Sequence, residues 1–174
     1  MTPIYFALFI VSLGIGVVHG DGDQKIIMNR VEVTHITGDN PFFGKWEAQL
    51  HSSGQKLSLK MPVKQELPDS IRFKLEMTLD GDDLPEVEMS LCEAFDDDSI
   101  GKDITEHGAP DGQFPKECPI YAGDNLEIRD YTFPDDKIPP GTQDGPLHSI
   151  LRIFEEGKEG DPIIIIESDG EITH

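Results

Sequence analysis

Ile71-Arg72-Phe73-Lys74-Leu75-Glu76-Met77-Thr78-Leu79 alternates apolar and polar side chains without a break. A period of two sends successive side chains to opposite faces of an extended chain, so the stretch reads as a strand with one dry and one wet face. The same pattern runs through Leu57, Leu59, Met61 and Val63, set against Ser58, Lys60 and Pro62. It returns in Val87, Met89 and Leu91, set against Glu86, Glu88 and Ser90. The pieces between, Gln65-Glu66-Leu67-Pro68-Asp69 and Asp80-Gly81-Asp82-Asp83-Leu84-Pro85, are turn chemistry. A meander of three consecutive antiparallel strands is the simplest expectation.

Outward from this centre, Ile26 to Ile36 and Phe42 to Leu50 read as strands joined through Gly38-Asp39-Asn40-Pro41. Asn125 to Phe133, Leu147 to Phe154 and Pro162 to Ile166 read as three more, the last an apolar run suited to burial on both faces. The segment Asp96 to Gln113 lacks alternation. Its Asp96-Asp97-Asp98-Ser99 start suits a helix cap, with Ile100 and Ile104 on one side and Gly108 as the stop. Ser168 to His174 reads as a frayed tail. The expected fold is all-β: a two-sheet antiparallel sandwich with one short helix after the third alternating strand.

Length and charge bound the function. The chain has 174 residues with 34 acidic and 14 basic side chains, a net charge of −20, and no Lys/Arg cluster. Nucleic acid binding depends on basic patches that release counterions, so that class is excluded, and anionic membranes are disfavoured for the same reason. Residues 1–20 contain no Asp, Glu, Lys or Arg, and Ile4 to Val18 is almost wholly apolar. This is the form of a signal peptide ending at Val18-His19-Gly20, which leaves one domain over 21–174 with no transmembrane segment in the mature chain. A secreted protein folds in an oxidising compartment, so Cys92 and Cys118, the only two cysteines, are expected to form a disulfide. No Asn-x-Ser/Thr sequon exists.

The order of landmarks carries a family resemblance. Leu91-Cys92 closes a strand, an acidic excursion follows, then Phe114-Pro115, Cys118-Pro119-Ile120 and Gly123, a strand from Leu126 to Phe133, and Ile138-Pro139-Pro140-Gly141 ahead of a closing hairpin. This resembles the secreted chemosensory proteins of the CheA/CheB type and their uncharacterised relatives, similar in turn to the ganglioside activator and the ML lipid-recognition family. The resemblance implies a β-cup, immunoglobulin-like in its two sheets, which splay apart to hold a lipid. Several members have more disulfides than this chain can form.

Ligand-lining candidates follow from the dry faces: Trp46, Leu57, Leu59, Met61, Ile71, Phe73, Leu75, Met77, Val87, Met89 and Leu91. Their methionines and leucines, none branched at Cβ, suit a surface that accommodates varied apolar shapes, and equally suit an ordinary core. A cavity of roughly 300 to 1,000 Å³ left empty would cost on the order of 7 to 24 kcal/mol at about 24 cal/mol per Å³. That rivals a domain's net stability of about 5 to 15 kcal/mol. An open cup therefore collapses in part, admits water or is occupied.

Polar chemistry is sparser. The clusters Asp21-Gly22-Asp23, Asp80-Gly81-Asp82-Asp83, Asp96-Asp97-Asp98 and Asp135-Asp136 read as solvated turns, since an EF-hand frame begun at Asp96 meets Ile100 and His107 where ligands belong. His19, His35, His51, His107, His148 and His174 show no metal-binding spacing. Hydrolase elbow, phosphate loop and dinucleotide fingerprint are all missing, so no enzyme, cofactor or metal is expected. The leading expectation is a secreted carrier of a lipid or other apolar ligand, chemosensory in the sense the resemblance implies. The alternative is an acidic extracellular interaction protein with a filled core that engages a basic receptor or divalent cations.

Overall fold

The computed structural model describes residues 24–35, 40–98, 101–134, 138–139 and 141–174. In chain order the elements are β1 (Lys25–His35), β2 (Glu47–His51), a 3₁₀ turn (Ser52–Gly54), β3 (Lys56–Lys60), β4 (Ile71–Leu79), β5 (Asp82–Asp83) and β6 (Val87–Ser90). There follow α1 (Leu91–Asp96), α2 (Gly101–Glu106), β7 (Gly108–Ala109), β8 (Glu127–Tyr131), β9 (Gly145–Glu155) and β10 (Ile164–Thr173). Sheet I has the order β1-β10-β9-β4, with β5 and β6 both pairing along the free edge of β4; sheet II has the order β2-β3-β8-β7. Every pairing is antiparallel. The fold is the all-β two-sheet sandwich that the alternation predicts. The leader expected over 1–20 and the start at Asp21 lie outside the described residues, as do Ser99, Ile100, Asp135 and Asp136.

The three-strand meander is corrected. β4 and β6 pair, Phe73 opposite Met89 and Leu75 opposite Val87, but β3 belongs to the other sheet and pairs β2 and β8. After Lys60 the chain stays with sheet II: the Met61 N–H donates to the Leu126 carbonyl at 2.8 Å, and Val63 bridges Phe43 and Gly123. Only then does it cross to sheet I. Both β3 and β4 turn a dry face to the same interior from opposite sides, and alternation says which face is dry, not which sheet holds it.

Three further expectations change. The strand expected from Phe42 begins only at Glu47, because the Asn40 side-chain oxygen accepts the N–H groups of Phe42 and Phe43 at 3.1 and 2.6 Å and holds a turn there. The single helix is two, and the first starts at Leu91: Ser90 caps it, accepting the Glu93 N–H at 3.1 Å while Glu93 accepts the Ser90 N–H at 2.8 Å. The supposed tail is the second half of β10, in register with both β1 and β9, with Ser168, Gly170 and Ile172 buried.

The core lies between the sheets toward the end where β4 begins. Phe43, Val63, Ile71, Ile120, Ile153 and Ile164 are sealed there, joined by Trp46, whose ring meets that of Phe43 edge-on at 5.4 Å. Each such side chain contributes about 1.5 to 3 kcal/mol by leaving water. The sheets meet at the β1–β2 corner, where the 3₁₀ turn lies against β1. Gly54 has φ +86° there, and a Cβ would overlap the Met28 carbonyl, so this seam requires glycine.

Candidate ligand site

The dry face of sheet I is covered unevenly. Of the lining candidates, Trp46, Leu59, Met61, Ile71, Phe73 and Val87 are buried within the core. Leu57, Leu75, Met77, Met89 and Leu91 are half-buried. Leu91 is the first residue of α1 rather than the end of a strand. Along β4 the change is progressive: Ile71 and Phe73 are sealed, whereas Leu75, Met77 and Leu79 keep part of their surface open.

The ladder shows what flanks the open part. Leu75, Met77 and Leu79 pair Leu151, Ser149 and Leu147 of β9. Those three pair Ile166, Ser168 and Gly170 of β10, and beyond them Val33 and Val31 of β1 stand opposite Ile166 and Ser168. All the leucines, valines and Ile166 in these rows are half-buried. The apolar strip therefore crosses four strands, three of them absent from the expected lining. The alternation Leu147, Ser149, Leu151 carried the signal, and β10 carried it in Ile166 and Ser168.

One polar feature interrupts the strip. Ser149 Oγ and Ser168 Oγ lie 2.5 Å apart, one donating to the other. Apart from Glu155, which ends β9 in the row of Ile71 and pairs Lys158 at 2.6 Å, the described charged side chains of these strands occupy the alternate positions and pair on the opposite face: Arg30 with Asp169 at 2.7 Å, Lys74 with Glu86 at 2.9 Å, and Arg152 with Glu76. Asp169 also accepts from His148 at 2.7 Å, and this bond together with Arg30 holds its carboxyl below the usual carboxylate range.

A concavity of about 520 Å³ lies on the wet face of sheet II. Its cause is a bulge: Leu59 pairs Ile128 and Leu57 pairs Tyr131, so Arg129 and Asp130 together oppose Ser58. Asp130 takes φ +48°, and its N–H donates to Ser58 Oγ at 3.1 Å. Glu47, Lys60, Glu127 and Arg129 line the hollow with charges of both signs. Glu47 is held below its ordinary value by the bond from Lys45. Among the described residues no three His, Cys, Asp or Glu side chains stand together as ligands for an ion.

Cys92 and Cys118 form the expected disulfide, with Cα atoms 5.7 Å apart, tying α1 to the segment that leads into β8. No described helix is long and apolar enough to cross a membrane. The sequence matches no protein-family model and no curated protein.

Proposed function

We propose that the protein is a secreted, noncovalent binder of an apolar ligand, lodged between the two sheets at the open half of the β4–β9–β10 face. The observation that carries this reading is the half-buried state of Met77, Leu79 and Leu147, which continue the inward rows of Phe73, Leu75 and Leu151 beyond the packed core. An apolar ligand of modest size would complete their removal from water, worth about 25 cal/mol per Å² covered. The disulfide agrees with an oxidising compartment, and the resemblance to the chemosensory and ML-type cups supports the same geometry. The protein then works by equilibrium burial rather than by turnover.

A second reading has its own observation. The core end is filled to the degree expected of an ordinary sandwich, with Phe43, Ile71 and Ile164 at 1%, 1% and 0% exposure. With a net charge of −20, such a molecule suits an acidic interaction protein that engages a basic receptor or divalent cations. Solvent extraction of protein purified from culture medium, followed by mass spectrometry, separates the two. Stoichiometric copurifying lipid supports the carrier; a clean extract from protein that also takes up no apolar probe supports the filled interaction protein.

A further inference from the structure

Resting on the carrier reading, we infer that the site selects a neutral oxygen-bearing chain, such as a long-chain alcohol, aldehyde or ester, over a fatty acid anion. The Ser149–Ser168 pair is the recognition element. Each serine has one O–H donor, and the bond between them uses one of the two. No other described group accepts from either hydroxyl, so one donor is left over. Ser168 is buried and Ser149 half-buried, midway along the apolar strip, with Met77 and Val31 as their neighbours in the row. An apolar chain laid over the strip would strip water from that donor, a cost that a ligand oxygen accepting its proton avoids.

The charge pattern decides what kind of oxygen. No described Lys or Arg stands on the inward rows of β4, β9 or β10, since Lys74 and Arg152 occupy the alternate, outward register. A carboxylate would lose its hydration there with a single hydroxyl in return, inside a molecule of net charge −20. A neutral carbonyl or hydroxyl loses far less and accepts the same proton.

Competition against a neutral naphthylamine dye, with the intact secreted protein, tests this. Tetradecane, tetradecanol and tetradecanoate at neutral pH share one chain and differ in the head. The inference predicts tetradecanol tighter than tetradecane by about three- to tenfold, the worth of one hydrogen bond, with tetradecanoate weaker than the alcohol. Either single alanine variant leaves one hydroxyl free to donate, so the informative variant is Ser149→Ala with Ser168→Ala. Within that variant tetradecanol and tetradecane should compete equally, the preference for the alcohol being lost. Should the double variant not fold, the ranking of heads on the wild type decides alone. Alcohol and alkane binding equally, or tetradecanoate binding best, overturns the inference and leaves the carrier reading standing. Failure of all three to displace dye, or of the dye to bind, overturns both.

Discussion

Phe73 and Met77 project from the same face of β4, four residues apart, yet Phe73 is sealed in the core and Met77 is half-buried outside it. At about 3.3 Å per residue they stand roughly 13 Å apart on one dry surface. They should therefore answer the same substitution differently. Phe73→Gln buries an amide among Ile153, Met89 and their neighbours and should cost at least about 1 to 3 kcal/mol, while Met77→Gln leaves the new amide access to water and should cost well under 1 kcal/mol. Urea midpoints of the two variants check this, and equal losses would remove the distinction between core and open strip.

The disulfide joins residues 26 apart in sequence, and closing a loop of that size in the unfolded chain stabilises the fold by about 3 to 4 kcal/mol in the chain-entropy argument. Cys92→Ser with Cys118→Ser should lower the urea midpoint accordingly. Reducing agent should shift the wild type toward the variant and leave the variant unmoved. A wild type insensitive to reductant while its thiols become alkylated would contradict the estimate.

The cap of α1 makes a pH-dependent contribution. The Ser90 backbone N–H, and then its side chain, hold the Glu93 carboxyl below its ordinary value. A lowered folded-state pKa means that the stabilisation is present above the unfolded value of about 4.3 and is lost as pH falls through the folded value. Ser90→Ala should cost about 1 kcal/mol at neutral pH. In Glu93→Gln the part of acid destabilisation below about pH 4.3 that comes from this group should vanish, which urea titrations across pH would read.

At the alkaline end Tyr131 is the reporter. Burial, with a smaller effect from Asp103, pushes its hydroxyl up to about 12. An unfolded tyrosine ionises near pH 10, so between about pH 10 and 12 the unfolded chain releases a proton that the folded chain retains, and stability falls by on the order of 2 kcal/mol. Tyr131→Phe keeps the edge-on ring contacts to His107 and Phe133, with centroids at 5.6 and 5.2 Å, and removes this loss. Absorbance titration of the phenolate locates the pKa directly. Ionisation near 10 in the folded protein would contradict the prediction.

What could be read in the sequence was local. The alternation from Ile71 to Leu79 identifies a strand and its dry face, and Ser90-x-x-Glu93 is a capping box in plain view, masked by the rhythm of Val87, Met89 and Leu91 running into it. What could not be read depended on partners far along the chain. Ser168 sits inside because Ser149 on β9 meets its hydroxyl, and a Cβ at Gly170 would crowd the Ile27 carbonyl of β1, so a stretch that looks like a polar tail is a central strand. The lining set had the same weakness. Phe73 and Met77 are indistinguishable by pattern, and only the reach of the core beneath them separates a sealed side chain from an open one.

The central claim, that the open half of this face holds an apolar ligand, is tested most directly by titrating the wild type and Met77→Gln with the neutral naphthylamine dye alongside their urea midpoints. The account predicts saturable uptake by the wild type, and a Met77→Gln variant that unfolds within a few tenths of a molar urea of it yet binds the dye several-fold more weakly, since part of one apolar side chain's contact is lost. A wild type that takes up no dye would contradict it, as would a Met77→Gln variant that loses stability like Phe73→Gln and binds dye undiminished.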